Sequence, residues 1–168
     1  MMVRATRILS LVAIGACQSV FAAAQPPVPR EPLPLVRFRE SQSAFSSYSG
    51  LIDSLRLVVR DSTAWRLLWQ RINRPFFPPP ALPPVDFHRE MVIVAALGTR
   101  PSAGFDVVIE GATEDSAGIE VEVRRTNPST GCPVAAAITQ PVDLAKIPVS
   151  ARALRFRERS TLMSCVAP

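Results

Sequence analysis

The sequence predicts a mainly β, α+β domain: an antiparallel β-sandwich or partial barrel of about seven or eight short strands, with one packed helix at about residues 62–73. Two observations predict it. Short apolar or alternating runs recur along the chain between turn-forming residues, which is typical of strands. A single stretch repeats its apolar residues at helical spacing, which indicates one helix lying on a sheet.

The composition fits one globular domain. The chain has 168 residues, of which 48% are hydrophobic and 20% charged, so a single domain over residues 35–168 has enough apolar side chains for a core. The formal net charge is +5, and removal of a leader that carries Arg4 and Arg7 and no acidic residue leaves +3. Because no basic run accompanies this small charge, we expect no nucleic-acid partner.

Residues 1–24 have the features of an export signal: a basic start, an apolar run over residues 8–16, and small residues before a proline-rich stretch. Two processing sites are open. Ordinary cleavage would follow Ala24, whereas residues 14–17 resemble a lipobox in which Cys17 becomes the acylated first residue. We therefore expect a periplasmic protein, a secreted protein or an outer-membrane lipoprotein, whose one contact with the membrane would be that lipid anchor.

Both processing routes leave the same two cysteines, Cys132 and Cys165, in the folded part. An even number of cysteines in an oxidising compartment predicts a disulfide between them. The alternative is that both are small buried thiols. Because Cys165 lies near the end of the chain, a free thiol there would be exposed in that compartment, which favours the bridge.

Several segments precede the helix. Residues 25–34 have five prolines in ten positions and predict an extended, semi-rigid spacer. Residues 35–40 alternate after the first position and predict a strand, residues 41–50 are polar and predict a loop, and residues 54–60 predict the next strand.

Residues 61–72 predict the helix. Their apolar side chains share one stripe at i, i+3, i+4 and i+7: Trp65, Leu68, Trp69 and Ile72. Asp61 or Ser62 is expected to cap the first turn. We expect both tryptophans to pack in the core rather than to be exposed as sugar-binding aromatics.

Residues 75–84 have six prolines in ten positions, which excludes a helix interior or a central strand. We expect a rigid crossover from helix to sheet, with Phe76 and Phe77 held in the core. The alternative is a polyproline ligand for an aromatic groove on another protein.

The most unusual segment connects two strand-like runs in the middle of the chain. Residues 91–97 form a continuous apolar run, typical of a strand buried on both faces. Residues 105–110 alternate, as in a strand with one wetter face. The connector between them carries two glycines and a proline, so we expect a loop of defined shape.

The last part of the chain predicts further short strands. Residues 118–125 alternate strictly over their middle, and residues 126–131 have turn chemistry. Residues 134–139 predict a weak strand, residues 141–144 a short one, and residues 153–157 the last.

Residues suited to catalysis are sparse. His88 is the one histidine, and no nucleophile-elbow pattern surrounds any serine. Asp86 and His88 offer two metal ligands without a third, and Asp86 is expected instead to accept backbone N–H bonds in its turn. Glu120 and Glu122 are expected to face solvent between arginines. We expect no catalytic residues, no metal and no cofactor, and therefore no enzyme; the remaining alternative is a small hydrolase that uses His88.

Six short stretches form a recognisable pattern over roughly residues 50–158: Pro84-Val85-Asp86-Phe87, Met91-Val92-Ile93-Val94, Gly98-x-Arg100-Pro101-Ser102-x-Gly104-Phe105, Gly131-Cys132, Thr139-x-Pro141 and Ile147-Pro148. This pattern resembles the C-terminal domain of the PrcB family, a subunit of bacterial secreted protease complexes. The family usually has a second glycine and a tyrosine where this chain has Ala103 and Phe105. The resemblance implies a role in assembling or stabilising a secreted protease.

We expect the loop over residues 98–105 to meet a protein partner, which the resemblance implies is a secreted protease. The expected contact residues are Arg100, Pro101, Ser102, Gly104 and Phe105. A loop of one shape loses little conformational entropy on docking, and arginine is frequent among interface hot spots. The alternative is internal: Arg100 pairs with Asp86, and Phe105 fills the core. A different binding function is also open, because residues 100–105 faintly resemble a loop of chagasin-like cysteine protease inhibitors.

Overall fold

The computed structural model describes residues 29–38 and 47–165. The export signal, Cys17 and the first residues of the spacer lie outside these ranges, so the processing site stays a prediction. Within them the chain forms eight strands and one helix: β1 Glu31–Pro32, β2 Val36–Arg37, β3 Leu55–Val59, α1 Ser62–Ile72, β4 Glu90–Ala96, β5 Asp106–Asp115, β6 Gly118–Asn127, β7 Val142–Pro148 and β8 Leu154–Leu162. No helix in this part of the chain is long and apolar enough to cross a membrane.

The described strands form two four-stranded sheets. Sheet A has the order β1-β5-β6-β8, and sheet B has the order β2-β7-β4-β3. Neither sheet closes into a barrel, and an apolar cluster fills the space between them, which confirms the β-sandwich. The strand pairs are antiparallel except β6 with β8, which run parallel; the expected sandwich was antiparallel throughout.

β4 is the centre of the core, because it is buried on both faces as its apolar run predicts. Three of its residues face the cluster under the helix: Val92, Val94 and Ala96. The alternate three face the cluster between the sheets: Met91, Ile93 and Ala95. The strand that leads into the 98–105 loop is therefore held from both sides.

α1 forms where the apolar stripe predicts it, and the stripe is buried: Trp65, Leu68, Trp69 and Ile72. Asp61 is the N-cap, and its carboxylate accepts a hydrogen bond of 2.8 Å from the backbone N–H of Ala64. This bond satisfies one of the donors that the first turn leaves without an intrahelical partner. The rings of Trp65 and Trp69 lie 5.3 Å apart. Both tryptophans are core residues, as predicted.

The proline-rich crossover, residues 75–84, lies against α1 and is fixed there by both indoles. The Nε1–H of Trp65 donates to the carbonyl of Pro83 at 3.0 Å. The Nε1–H of Trp69 donates to the carbonyl of Pro80 at 3.1 Å. Because a buried indole N–H needs an acceptor, these bonds hold the crossover in one position on the helix.

The two phenylalanines of the crossover differ from the expectation that both lie in the core. Phe76 is half-buried, and its backbone N–H donates to the carbonyl of Asn73 at 3.0 Å. Phe77 is 98% exposed, so the expectation for this residue was wrong. The indole bonds of Trp65 and Trp69 fix the crossover at Pro83 and Pro80, which come after Phe77 in the chain, and the Phe77 ring takes almost no part in that contact.

Two further predicted strands differ in their outcome. The strand predicted over residues 35–40 is described as far as residue 38, and β2 within it pairs with β7. Residues 134–139 form no strand, and Thr139 alone makes a β-bridge, to Arg100. This segment is rich in alanine, which has low strand propensity, and its backbone bonds to a loop instead of to a sheet.

Candidate functional site

The 98–105 loop lies at the end of the sandwich where β4 ends and β7 begins, which we call the loop end. Backbone hydrogen bonds attach the loop to the neighbouring segment. Arg100 and Thr139 exchange two of them, at 2.8 and 3.0 Å, and the N–H of Ala103 donates to the carbonyl of Ala135 at 3.0 Å. The loop therefore has one defined shape, as its glycines and proline predict.

The start of the loop is packed so closely that no side chain fits at Gly98. Its φ is +72°, in the region that favours glycine. A Cβ at this position would lie 2.6 Å from the backbone nitrogen of Ser54 and 2.8 Å from the carbonyl oxygen of Ile52. The N–H of Thr99 donates to the same Ile52 carbonyl at 3.0 Å, so residues 52–54 and the loop form one packed unit.

The side chain of Arg100 folds into the loop. Its Nη2 donates to the carbonyl of Leu97 at 2.6 Å, and its guanidinium carbon lies 5.8 Å from the centre of the Phe105 ring, a cation–π contact. Asp86, its partner in the internal alternative, accepts the backbone N–H of His88 at 3.0 Å instead, as the turn chemistry predicts. Arg100 therefore shapes the loop, although not through Asp86.

Four of the predicted contact residues are half-buried, and one is exposed. The half-buried residues are Arg100, Ser102, Gly104 and Phe105, and the exposed one is Pro101. The carbonyl of Ser102 accepts a hydrogen bond of 3.0 Å from the hydroxyl of Thr139. The structure brings the five together in one loop, of which Pro101 and the neighbouring Thr99 are the parts open to solvent. Contact with a partner stays a prediction.

Exposed apolar side chains surround the loop, and they were not among the site residues predicted from the sequence. Tyr48 is 48% exposed, and Ile52 and Ile138 are each 64% exposed. Each is placed by a backbone contact of its own or of its neighbour: Tyr48 bridges to Gln140, Ile52 accepts from Thr99, and Ile138 precedes Thr139. None of the three belongs to a regular helical or alternating pattern of apolar residues, so no periodic signal marks them. We call these three residues the apolar rim.

Cys132 and Cys165 form the predicted disulfide, with their Cα atoms 5.4 Å apart. The bridge ties the tail after β8 to the segment that backs the 98–105 loop. Ser129 donates through its hydroxyl to the carbonyl of Met163, and the N–H of Met163 donates to the carbonyl of Asn127 at 2.8 Å. The segment that backs the 98–105 loop is therefore cross-linked to the tail after β8.

Glu120 departs from the solvent-facing position expected for it, because it is 7% exposed. Arg30 and Arg155 donate to its two oxygens at 3.0 and 2.9 Å. The hydrogen bond from Arg155, helped by the charge of Arg30, lowers the pKa of Glu120 below its usual 4.5. Glu122 is exposed, as predicted. The difference arises because β8 lies beside β6 and brings Arg155 over Glu120.

Glu110 has a similar environment on the same outer face of sheet A. Arg159 donates to it twice at 2.7 Å, and Arg124 donates at 2.9 Å. The hydrogen bond from Arg159 is the largest cause that lowers the pKa of Glu110 below its usual 4.5. These ion pairs link three neighbouring strands, β5, β6 and β8, and satisfy the carboxylates that a glycoside-cleaving site would need free.

One carboxylate is buried between the two sheets. Asp143 of β7 is 8% exposed, and it accepts hydrogen bonds from the N–H of Ile109 at 2.7 Å and from Arg37 at 2.8 Å. The ladder of β5 is irregular between Ile109 and Gly111, where a bulge occurs. Burial raises the pKa of Asp143 above its usual 3.8, and the bond from Ile109 opposes that rise. Asp143 therefore joins sheet B to sheet A.

His88 lies exposed in the turn before β4. It contributes its backbone N–H to the bond with Asp86. Across residues 29–38 and 47–165, no group of three or more His, Cys, Asp and Glu side chains is placed to hold a metal ion.

Comparison with known proteins gives one match. The model of the family described as PrcB C-terminal matches residues 91–148. This segment runs from β4 to the end of β7 and contains the whole 98–105 loop, so the resemblance read from the sequence is confirmed over it. No curated protein and no solved structure matched the chain.

Proposed function

We propose that the chain is an exported, non-enzymatic protein-binding domain that serves as an accessory or stabilising subunit of a secreted protease complex. The observation that carries this proposal is the loop end: a rigid loop surrounded by exposed apolar side chains. The PrcB-like segment contains that loop. Because the PrcB resemblance implies a role with a secreted protease, it supports a protease as the partner.

The loop end offers binding energy at low entropic cost. The backbone bonds of Arg100 and Ala103 fix the loop before a partner arrives, so docking does not have to order it. Ile52 and Ile138 expose most of their surface around it. Covering such apolar side chains stabilises a complex by about 25 cal/mol per Å² removed from water.

The proposal is tested with the exported protein and the proteases secreted by the same bacterium. We expect one protease to co-elute with the chain in gel filtration and to lose activity more slowly in its presence. The initial rate of that protease should stay unchanged. A lowered initial rate would indicate an inhibitor instead, and the absence of co-elution would contradict the complex.

Two substitutions locate the interface. Ile52→Asp and Ile138→Asp should each weaken protease capture by about 1–3 kcal/mol, because a carboxylate would be buried against the partner. Val149→Asp is the matched control: Val149 is 44% exposed and lies at the opposite end of the sandwich, beside Arg89. An equal effect of all three, or no effect of any, would place the interface elsewhere.

A further inference from the structure

The outer face of α1 and the tip of the crossover form a surface that the proposed function does not use. We call it the helix surface and define it by five residues: Arg66, Leu67, Arg71, Arg74 and Phe77. Leu67 lies two positions after the buried Trp65, about 200° around the helix, and is 62% exposed. Phe77 is 98% exposed.

The helix surface carries positive charge that the chain leaves largely unbalanced. Arg66 and Arg74 are exposed, and neither forms an ion pair with any residue that the structure describes. Arg71 has one carboxylate, Asp53, at 3.5 Å. The first turn of α1 contains no acidic residue. A partner for this surface therefore has to be anionic.

Arginines elsewhere in this protein do form ion pairs, as the outer face of sheet A shows. On the outer face of sheet A, Arg155 lies 2.9 Å from Glu120, and Arg159 lies 2.7 Å from Glu110. The arginines there are neutralised within the fold. Those of the helix surface are available to a ligand.

Phe77 is held outward by the bonds around it. The turn before it is closed by the N–H of Phe76 on the carbonyl of Asn73, and the chain after it is fixed by the indole of Trp69 on Pro80. The ring takes almost no part in the contact between the crossover and α1. It is therefore presented to solvent in the free protein, where exposing a whole aromatic ring is unfavourable.

We propose that the helix surface docks on an anionic phospholipid surface. Phe77 and Leu67 enter the headgroup region, and the guanidinium groups of Arg66 and Arg74 bind lipid phosphates, for which their planar donor geometry is suited. A bilayer interface accepts a projecting ring without a shaped pocket, whereas a protein partner would need a cavity for Phe77 within reach of acidic groups. Apolar tips flanked by arginines are the chemistry of interfacial docking.

The interaction is weak and reversible by itself. Each arginine near an anionic membrane strengthens binding about fivefold, and two apolar side chains add a comparable amount. Such docking becomes firm only together with a second attachment, and it orients the domain on the membrane. The inference does not rest on the protease complex, although the carboxyl end of α1 adjoins the loop end, where the N–H of Gly50 donates to the carbonyl of Ile72 at 2.8 Å and Arg71 pairs with Asp53.

The test is co-sedimentation with vesicles of defined composition. The processed protein is recovered after export, with Cys17→Ser in every sample so that no acyl chain contributes. We expect at least tenfold stronger binding to vesicles of phosphatidylglycerol and phosphatidylethanolamine than to phosphatidylcholine vesicles. Binding should fall on addition of 1 M salt, where the screening length is about 3 Å.

Variants in the same background assign the binding to the helix surface. Phe77→Ser and the pair Arg66→Gln with Arg74→Gln should each weaken it, the pair by about twenty-fivefold. The matched controls are Leu162→Ser and the pair Arg152→Gln with Arg157→Gln, which remove an exposed apolar side chain and two charges from sheet A and its adjoining turn. Equal losses in the controls, equal binding to both lipids, or no binding at several millimolar lipid would overturn the proposal. Thermal unfolding of each variant verifies that it is folded.

Discussion

Two glycines of this chain share a backbone conformation and differ in their surroundings. Gly98 and Gly131 have φ values of +72° and +85°, so an L-residue would be strained at either. A Cβ at Gly131 would meet nothing within 4 Å. A Cβ at Gly98 would meet the backbone of residues 52–54, which cannot rotate away as a flexible side chain does. The pair therefore separates backbone strain from steric exclusion.

Alanine at these positions gives the first prediction. Gly131→Ala should lower the free energy of unfolding by about 1–2 kcal/mol, the cost of the left-handed conformation alone. Gly98→Ala should cost clearly more, because the loop and residues 52–54 have to move apart. Urea unfolding of both variants measures the difference. Equal losses would mean that residues 52–54 yield freely and that the loop is not packed as described.

Glu120 shows why single residues resist prediction from sequence. The alternation of β6 correctly gives its face, opposite Val121 and Val123. The burial of Glu120 depends on Arg30 and Arg155, which are 90 and 35 positions away in the chain. No local pattern carries such contacts. The exposure of Phe77 also depends on contacts outside its own segment, because the indoles of Trp65 and Trp69 determine how the crossover lies on α1.

At the scale of elements, the sequence predicts a helix or strand well where the element's own residues determine whether it forms. α1 has an N-cap and an apolar stripe within its own sequence, and β4 has an uninterrupted apolar run; both form as predicted. β8 is different. Its composition indicates a strand, but its parallel pairing with β6 is set by long-range packing that the run of residues 154–162 does not encode.

The edge position of β8 also explains an inward-facing charge. Glu158 of β8 pairs with Arg56 at 2.9 Å and with Arg125 at 3.5 Å. An inward-pointing charge on an edge strand disfavours pairing with another chain along that edge. This agrees with the proposal that a partner binds at the loop end and not at the free edge of sheet A.

The packing of α1 gives the second prediction. Trp69→Ala should destabilise the protein by about 3–5 kcal/mol, because it empties an aromatic site under the crossover and leaves the carbonyl of Pro80 without its indole donor. Leu67→Ala, on the exposed face of the same helix, is the control and should change stability by less than about 0.5 kcal/mol. Chemical denaturation measures both.

Iodide quenching of the native protein tests the same burial without a substitution. Trp65 and Trp69 are 2% and 3% exposed, so iodide should quench their fluorescence weakly until the protein unfolds. Full quenching of the folded protein would contradict the packing of the helix on sheet B.

At the scale of the whole molecule, two surfaces adjoin where α1 ends, beside residues 50–53. The loop end collects the 98–105 loop, the apolar rim and the disulfide, while the helix surface lies on the side formed by α1. The disulfide spans 33 positions, and in the chain-entropy model a bridge of that size contributes about 3–4 kcal/mol. Because it cross-links the segment behind the loop, it stabilises the loop end in particular.

The outer face of sheet A connects whole-molecule stability to pH. Hydrogen bonds from Arg159 and Arg155 lower the pKa values of Glu110 and Glu120 in the folded state. The unfolded chain therefore takes up protons at a higher pH than the folded one. Stability from these groups is complete above the usual glutamate pKa of 4.5 and is lost as the pH falls through the folded-state values. Asp143 acts in the opposite direction, because burial raises its pKa.

Acid titration gives the last prediction. The free energy of unfolding should fall as the pH drops below the usual glutamate pKa of 4.5, because the unfolded chain takes up protons there before Glu110 and Glu120 of the folded protein do. The double variant Glu110→Gln with Glu120→Gln should be less stable at pH 7, since amides bind arginine less strongly than carboxylates do, and its stability should change less over the acid range. Asp143→Asn should keep the decline and steepen it, because the group that opposes the decline is gone. Urea unfolding at constant ionic strength from pH 7 to pH 2 measures the free energy of unfolding of all three proteins. If that free energy falls as steeply with pH in the double variant as in the unmodified protein, other carboxylates cause the loss of stability in acid.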